Sequence, residues 1–347
     1  MNDSDIDPYE GIREIHESNV DKFIQNDLFA PFKEVDESLI EDIKNNKILI
    51  YTAFTGDYDN LKEPDFIDEN CDYICFTENP NLTSDIWDIK LMEPSNLDDN
   101  RKAKRYKVLP HKYFSEYKYS FWIDGTFRIK GSLREYIYKY INSPMLCAIH
   151  PERECLYVEA NVSCIFSRYS DYTVAKQVKR YEEDNMPTDY GLPALGAIFR
   201  QHNNPKIIEL MNRWWDEISE YTNQDQLSLT YLMWKLNFHP SISDVYYWIN
   251  EYWAKEGEYH HKHEVKSPLC SDNLVESIEG NIKDENTLSK EELFLLINDI
   301  ETLKHELKMK EDISLMQEKE INELKNSTSW KVTKPLRGVT RLIKGNK

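Results

Sequence analysis

Four patches of the chain hold residue types whose spacing could do chemistry. The sharpest is Asp124 in YSFWIDGT, where a bulky apolar run delivers a single carboxylate to a Gly-Thr turn. Such a carboxylate suits a hard divalent cation that bridges phosphate oxygens, although strand-end aspartates are also ordinary turn formers. The second patch is NRKAKRYK (100–107), five of whose eight residues are cationic in an otherwise acidic protein. Arg101 and Arg105 stand four apart, so a helix would hold both on one face as a clamp for phosphate; a solvated helix face is the plainer alternative. Third, Gln224-Asp225-Gln226 precedes an apolar stretch. A carboxylate is favoured electrostatically at a helix start, and a simple N-cap explains it on helix physics alone. The last patch is His260-His261-Lys262-His263. Histidines two apart point the same way on a strand and can share a metal, and a histidine-rich surface loop stands on equal terms. Further polar groups, His150-Pro-Glu-Arg153, Glu159 and Asn161, follow another apolar run. Gly191-Leu-Pro and Ile198-Phe-Arg200-Gln-His-Asn203 read as the frame of a further turn.

These groups need elements to hold them. KILIYTAF (47–54), DYICFT (72–77), YSFWID (119–124) and MLCAIH (145–150) are short apolar runs rich in β-branched and aromatic residues, which predicts buried strands. Helical stretches lie between and after them, at 100–115, 132–141, 170–183, 205–221 and 225–236. Strands alternating with helices predict an α/β layer on a largely parallel sheet. In such a sheet, ligands bind beyond the carboxyl ends of the strands, where Asp124 falls.

Composition narrows the classes. None of the ten glycines sits in a G-x-G-x-x-G or G-x-x-x-x-G-K-[ST] pattern, which argues against a dinucleotide-binding Rossmann site and a P-loop. H-E-x-x-H and G-x-S-x-G are missing too, which weighs against the commonest hydrolase machinery. The net charge of −19 opposes nucleic acid as a partner. Six cysteines show no C-x-x-C spacing, and the acidic, polar start is unlike a secretory leader. Reduced core cysteines and a cytoplasmic location are the expectation.

Five segments are expected. Residues 1–46, with 13 acids against 4 bases, form an acidic helical extension that wraps on the domain or serves as a docking arm. Residues 47–267 form the α/β domain, 268–287 a polar linker, and 288–325 a helical segment. Leu296, Ile300, Leu303 and Leu307 stand there in 4-3-4 spacing, so a short coiled coil and a homo-oligomer are expected. Residues 326–347 carry six bases and no acid around Trp330, Leu336, Val339, Leu342 and Ile343. That pattern suits peripheral contact with an anionic membrane, at the inner face of the plasma membrane, and equally a disordered basic tail.

Taken together, YTAFTGDYDNL, DYICFTEN, NRKAKRYKVLPHKYF, YSFWIDG, HPERECLYVEA, GLPALGAIFRQHN, WWDEI and DQLSLTYLMWK, in that order, resemble one family. It is the glycosyltransferase-like family of the plant mucilage-related and turgor-regulation-defect proteins, formerly a domain of unknown function. The resemblance covers about residues 47–265 and implies a GT-A-like fold. It also implies transfer of a sugar from a nucleotide-sugar donor to a glycan, surface-polysaccharide or lipid-linked acceptor, usually with Mn²⁺ or Mg²⁺. Asp124 then takes the place of the metal-binding D-x-D carboxylate, with Thr126 where a second acid would stand. His261 and His263 are the candidates to complete the metal set. Asp225 and Gln226 match the D-Q element near the reacting sugar. Arg105, Lys107 and His111 match the basic segment, Thr52 and Tyr58 would lie near the base and ribose, and Arg101, Arg153, Glu159 and Arg200 are further donor-side expectations. The tail NSTSWKVTKPLRG resembles the short C-terminal tails of bacterial surface-polysaccharide glycosyltransferases. A metal-dependent hydrolase of ceramidase type and a non-catalytic scaffold of a polysaccharide-assembly complex are the alternatives.

Overall fold

The computed structural model describes residues 16–22, 34–56, 60–165, 171–188 and 190–256. The chain divides into two units, Met1–Val275 and Glu276–Lys347, and every described residue lies in the first. The expected linker, helical segment and basic tail, with Tyr58, His261 and His263, fall outside the described residues.

Nine strands and nine helical pieces are described. In chain order they are helix α1 (residues 16–22), α2 (Glu37–Lys44), strands β1 (Ile48–Phe54), β2 (Cys71–Thr77) and β3 (Asp88–Leu91), α3 (Asp99–Val108) and α4 (Pro110–Tyr113). Next come β4 (Tyr119–Ile123), β5 (Phe127–Ile129), α5 (Leu133–Tyr140), β6 (Met145–Ile149), α6 (Leu156–Ile165) and α7 (Asp171–Glu183). The remainder are β7 (Pro193–Arg200), α8 (Pro205–Glu220), α9 (Asp225–Lys235), β8 (Ser241–Ser243) and β9 (Trp253–Lys255). Seven strands make one sheet in the order β3-β2-β1-β4-β7-β6-β8. The pairs β1/β2, β1/β4, β2/β3 and β6/β8 are parallel, as the strand–helix alternation predicts. Strand β7 runs antiparallel to both β4 and β6.

The four predicted strands are present. β7 is the departure: residues 198–203 read as a turn, yet Pro193–Arg200 is a central strand buried at every position. Its apolar run PALGAIFR is long enough for a strand, and pairing with β4 and β6 makes it one. Likewise the single helix expected over 100–115 is two pieces, because Pro110 cannot continue the hydrogen-bonded ladder of α3.

Alternation along β1 explains the layers. Leu49, Tyr51 and Ala53 face a core shared with Tyr106, Trp214 and Leu227, from α3, α8 and α9. Ile48, Ile50 and Phe54 face the opposite core with Ile43, Tyr136 and Ile137, from α2 and α5. Side chains of successive strand residues point to opposite faces, so a strand buried on both reads as continuous apolar sequence. Parts of the acidic lead-in pack on this body: His16 Nε2 lies 3.0 Å from the Asp244 carbonyl, and Lys22 pairs with Glu154 at 2.7 Å. No helix among the described residues is long and apolar enough to cross a membrane.

Candidate active site

Asp124 follows β4 directly, at the carboxyl end of a strand in the middle of the sheet. Its backbone N–H donates to the Gly196 carbonyl at 2.7 Å, and its carbonyl accepts from Phe127 N at 3.0 Å, closing the turn that aims the side chain. The carboxylate packs close against β7 because residue 196 is glycine. A Cβ there would clash with the Tyr247 hydroxyl and stand 2.8 Å from Asp124 Oδ2 and 2.9 Å from the Phe127 ring. A small two-stranded sheet of β5 and β9, absent from the sequence reading, closes this side, with Glu256 N donating to Thr126 O at 2.8 Å.

Helix α3 supplies the cations. Asp98 caps it by accepting from Arg101 N at 3.0 Å. Lys104 and Lys107 are three apart and therefore share a face. Lys107 Nζ donates to Asp225 Oδ2 at 2.6 Å and lies 3.4 Å from Asp124 Oδ1; Lys104 Nζ is 3.3 Å from Asp225 Oδ1 and also donates to the Asn223 carbonyl. Trp122 Nε1–H donates to Asp124 Oδ1 at 2.5 Å, and the Lys107 ammonium stands 5.5 Å from the Trp122 ring centroid. Asp225 opens α9, whose N-cap residue is Gln224, so the carboxylate faces the lysines from the first turn and does not cap the helix. Trp214 of α8 pins this start by donating to the Asp225 carbonyl at 3.2 Å and to Ser228 Oγ at 3.1 Å.

Burial and charge divide these roles. The side chains of Lys107 and Asp225 are 5% and 8% exposed, that of Asp124 is 37% exposed. Burial pushes the Asp225 carboxyl up, but Lys104 and then Lys107 outweigh it and hold the group well below the usual carboxylate range. Burial pulls Lys107 down, and the paired charges of Asp124 and Asp225 more than reverse this. Lys104 ends lower than an ordinary lysine, because burial and the neighbouring Lys107 exceed the attraction of Asp225.

A second network props the first. Gln224 Nε2 donates to Glu159 Oε1 at 2.6 Å and to Ser163 Oγ at 3.2 Å. Arg153 Nε donates to Glu159 Oε2 and its Nη1 to Glu152 at 2.7 Å. His150 Nδ1 accepts from the Glu152 and Arg153 amides, at 3.2 and 3.1 Å. Glu159 and Arg153 thus brace the residue that precedes Asp225.

Of the other expected residues, the arginines and His111 contact groups outside this cluster, whereas Thr52 Oγ1 stands 3.9 Å from where a Cβ on Gly125, next to Asp124, would lie. Arg101 does not form a clamp with Arg105: its Nε and Nη2 donate to the Ile218 and Tyr221 carbonyls at the end of α8, at 2.8 and 2.7 Å. A cation there complements the carboxyl end of the helix. Arg105 lies over the Tyr106 and Tyr113 rings and 3.5 Å from Glu93. Arg200 is wholly buried, with Nη2 donating to the Tyr51 hydroxyl at 2.6 Å and Nη1 set 3.2 Å from Met211 Sδ. Tyr51 in turn donates to the Lys107 carbonyl at 3.2 Å, so Arg200 supports the last turn of α3 from inside the core. His111 Nε2 meets Asn212 Oδ1 at 3.2 Å. Thr52 is buried on β1, its hydroxyl without a hydrogen-bond partner. Gln226, half-buried, follows Asp225.

Asp124 has Trp122 and Lys107 against one oxygen, and Asp225 has a lysine at each of its two. No group of three or more acid, histidine or cysteine side chains is placed to hold a metal among the described residues. Among the described residues this set leaves few oxygens free for a divalent cation, which takes several, and His261 and His263 lie outside them. Cys71, Cys75, Cys147 and Cys155 are free thiols. Among site residues, sequence reasoning did not single out Lys104, Gly196 or Trp122; the three-residue spacing of Lys104 and Lys107 was the available signal.

A family model, the TOD1/MUCI70 glycosyltransferase-like domain, matches residues 25–254. The chain belongs to this family. The match takes in Asp124, both lysines and Asp225, and ends before His261 and His263. Within the family, the chain is similar to the probable hexosyltransferase MUCI70 of Arabidopsis thaliana, at 22% identity over 227 residues. That alignment covers 57% of this chain and 39% of the plant protein, so the chain spans well under half of that relative.

Proposed function

We propose that the domain transfers a glycosyl group, a hexosyl group by analogy with the plant relative, from a nucleotide-sugar to a glycan, surface-polysaccharide or lipid-linked acceptor. The observation that carries this reading is the Lys107 ammonium held between Asp124 and Asp225 beyond the carboxyl end of β4. In the transfer, the bond from the anomeric carbon to the donor diphosphate breaks and its electron pair leaves with the nucleoside diphosphate. The acceptor hydroxyl forms the new C–O bond and passes its proton to solvent. Asp225, held ionised by two lysines, is a poor proton acceptor near neutral pH and suits facing the positive charge that develops on the sugar. Asp124 keeps more than a third of its side chain open and is the carboxylate that reaches the ligands. Gln226, beside Asp225, extends the same helix start toward them.

The test is release of nucleoside diphosphate from a panel of nucleotide-sugars offered with glycan acceptors. Wild-type protein turns over at least one donor, and Asp124→Asn and Asp225→Asn each depress turnover by about a hundred-fold or more. Failure with every donor and acceptor, or full activity in both variants, overturns the reading. Peripheral membrane contact through residues 326–347 belongs to the same proposal. The full chain should sediment with anionic vesicles at low salt, and a chain ending at Lys325 should not.

A further inference from the structure

Resting on the glycosyl-transfer reading, we propose that the Lys104–Lys107 pair does the work of a divalent cation, so that the donor diphosphate binds without metal. Three observations lead there. Among the described residues, two ammonium groups face two carboxylates, so these four groups carry no net charge, whereas oxygen-donor cation sites gather excess negative charge. A dication drawn to Asp124 would stand against the Lys107 ammonium, 3.4 Å from the same carboxylate. Lys107 cannot swing aside cheaply, because its departure would leave Asp225 buried with Lys104 alone.

The lysines also have what the leaving group requires. Lys107 is fixed by two acids and the Trp122 face, a preorganised positive charge that costs no rearrangement during the reaction. Lys104 is the more open of the two, 15% exposed, and is held on one side by the Asn223 carbonyl. It is the ammonium placed to donate to a phosphate oxygen while Lys107 keeps Asp225 neutralised. As the anomeric bond breaks, the oxygen that keeps the electron pair gains negative charge, and this pair receives it with no proton transferred.

Binding, and not turnover, decides the matter. Uridine and guanosine diphosphates are titrated calorimetrically into the full-length wild-type protein, in EDTA and again with Mn²⁺. The proposal expects one of them to bind with the same affinity, within about two-fold, under both conditions. Lys104→Gln should weaken that binding by about ten- to hundred-fold, the loss of a charge-assisted hydrogen bond, while circular dichroism shows the fold kept. Binding that vanishes in EDTA and returns with Mn²⁺ overturns the inference and leaves the glycosyl-transfer reading standing. Unweakened binding by a folded Lys104→Gln protein also overturns it. Binding of neither diphosphate, with or without metal, removes both.

Discussion

Lys107 and Asp225 form a buried ion pair, Nζ to Oδ2 at 2.6 Å, between residues 118 positions apart in sequence. The pair ties the last turn of α3 to the first turn of α9 and, with Lys104, holds the Asp225 carboxylate ionised. Everything nearby is arranged around it: Trp214 pins the start of α9, and Tyr51 accepts from Arg200 while it donates to the Lys107 carbonyl.

Removing one partner of such a pair leaves a charge buried. Asp225→Asn leaves Lys107 with Asp124 alone and Lys104 with only the Asn223 carbonyl, and should cost about 3–5 kcal/mol of stability. Lys107→Met leaves Asp225 with Lys104 and should cost less. The double variant should lose less than the sum of the singles, by about 1 kcal/mol or more. Urea unfolding of the four proteins measures this, and additive losses would mean the pair contributes nothing specific.

Gly196→Ala puts a methyl group into the Tyr247 hydroxyl and against Asp124 Oδ2. Overpacking of this kind costs about 1–3 kcal/mol, and the displaced Asp124 should depress turnover. Adding Tyr247→Phe removes the worst contact, so the double variant should regain part of the lost stability by thermal unfolding. No recovery would place the strain elsewhere.

Arg200 separates a core role from a donor-binding one. Arg200→Met fills similar space without a buried charge and should change stability by less than about 1.5 kcal/mol, with nucleotide affinity kept. Arg200→Ala should lose about 3 kcal/mol or more to the cavity it opens. A folded Arg200→Met protein that no longer binds nucleotide would return Arg200 to the donor site.

Acid should weaken the fold through its buried histidines. His202, with Nε2 2.9 Å from the Phe114 carbonyl, is pulled down to about 4 chiefly by burial, and burial with Arg153 drops His150 well below its ordinary value. Between roughly pH 6.5 and 4 the unfolded chain binds protons that the folded one refuses, so stability is present above that window and is lost as pH falls through it. The His202 contribution is on the order of 3 kcal/mol across the window. Urea midpoints from pH 7.5 to 4.5 should fall, and His202→Gln should flatten the dependence. An unchanged slope in that variant would show that His202 carries none of it.

The sequence by itself determined the class of fold and its central carboxylate. Strands such as KILIYTAF and YSFWID are buried on both faces, so they read as unbroken apolar runs, and their alternation with helices predicts the parallel part of the sheet. It likewise put Asp124 at a strand end and Asp225 at a helix start, since both follow from local pattern. Tertiary structure decided what those groups meet. PALGAIFR fits a strand in isolation, but its antiparallel insertion between β4 and β6 depends on partners far away in sequence, and that insertion draws Arg200 into the core. The five cations of 101–107 look alike along the chain. Only packing of α3 against α8 and α9 sends Arg101 to helix carbonyls and gives Lys104 and Lys107 to the carboxylates, because a helix divides its residues among faces and the neighbours choose which face is buried.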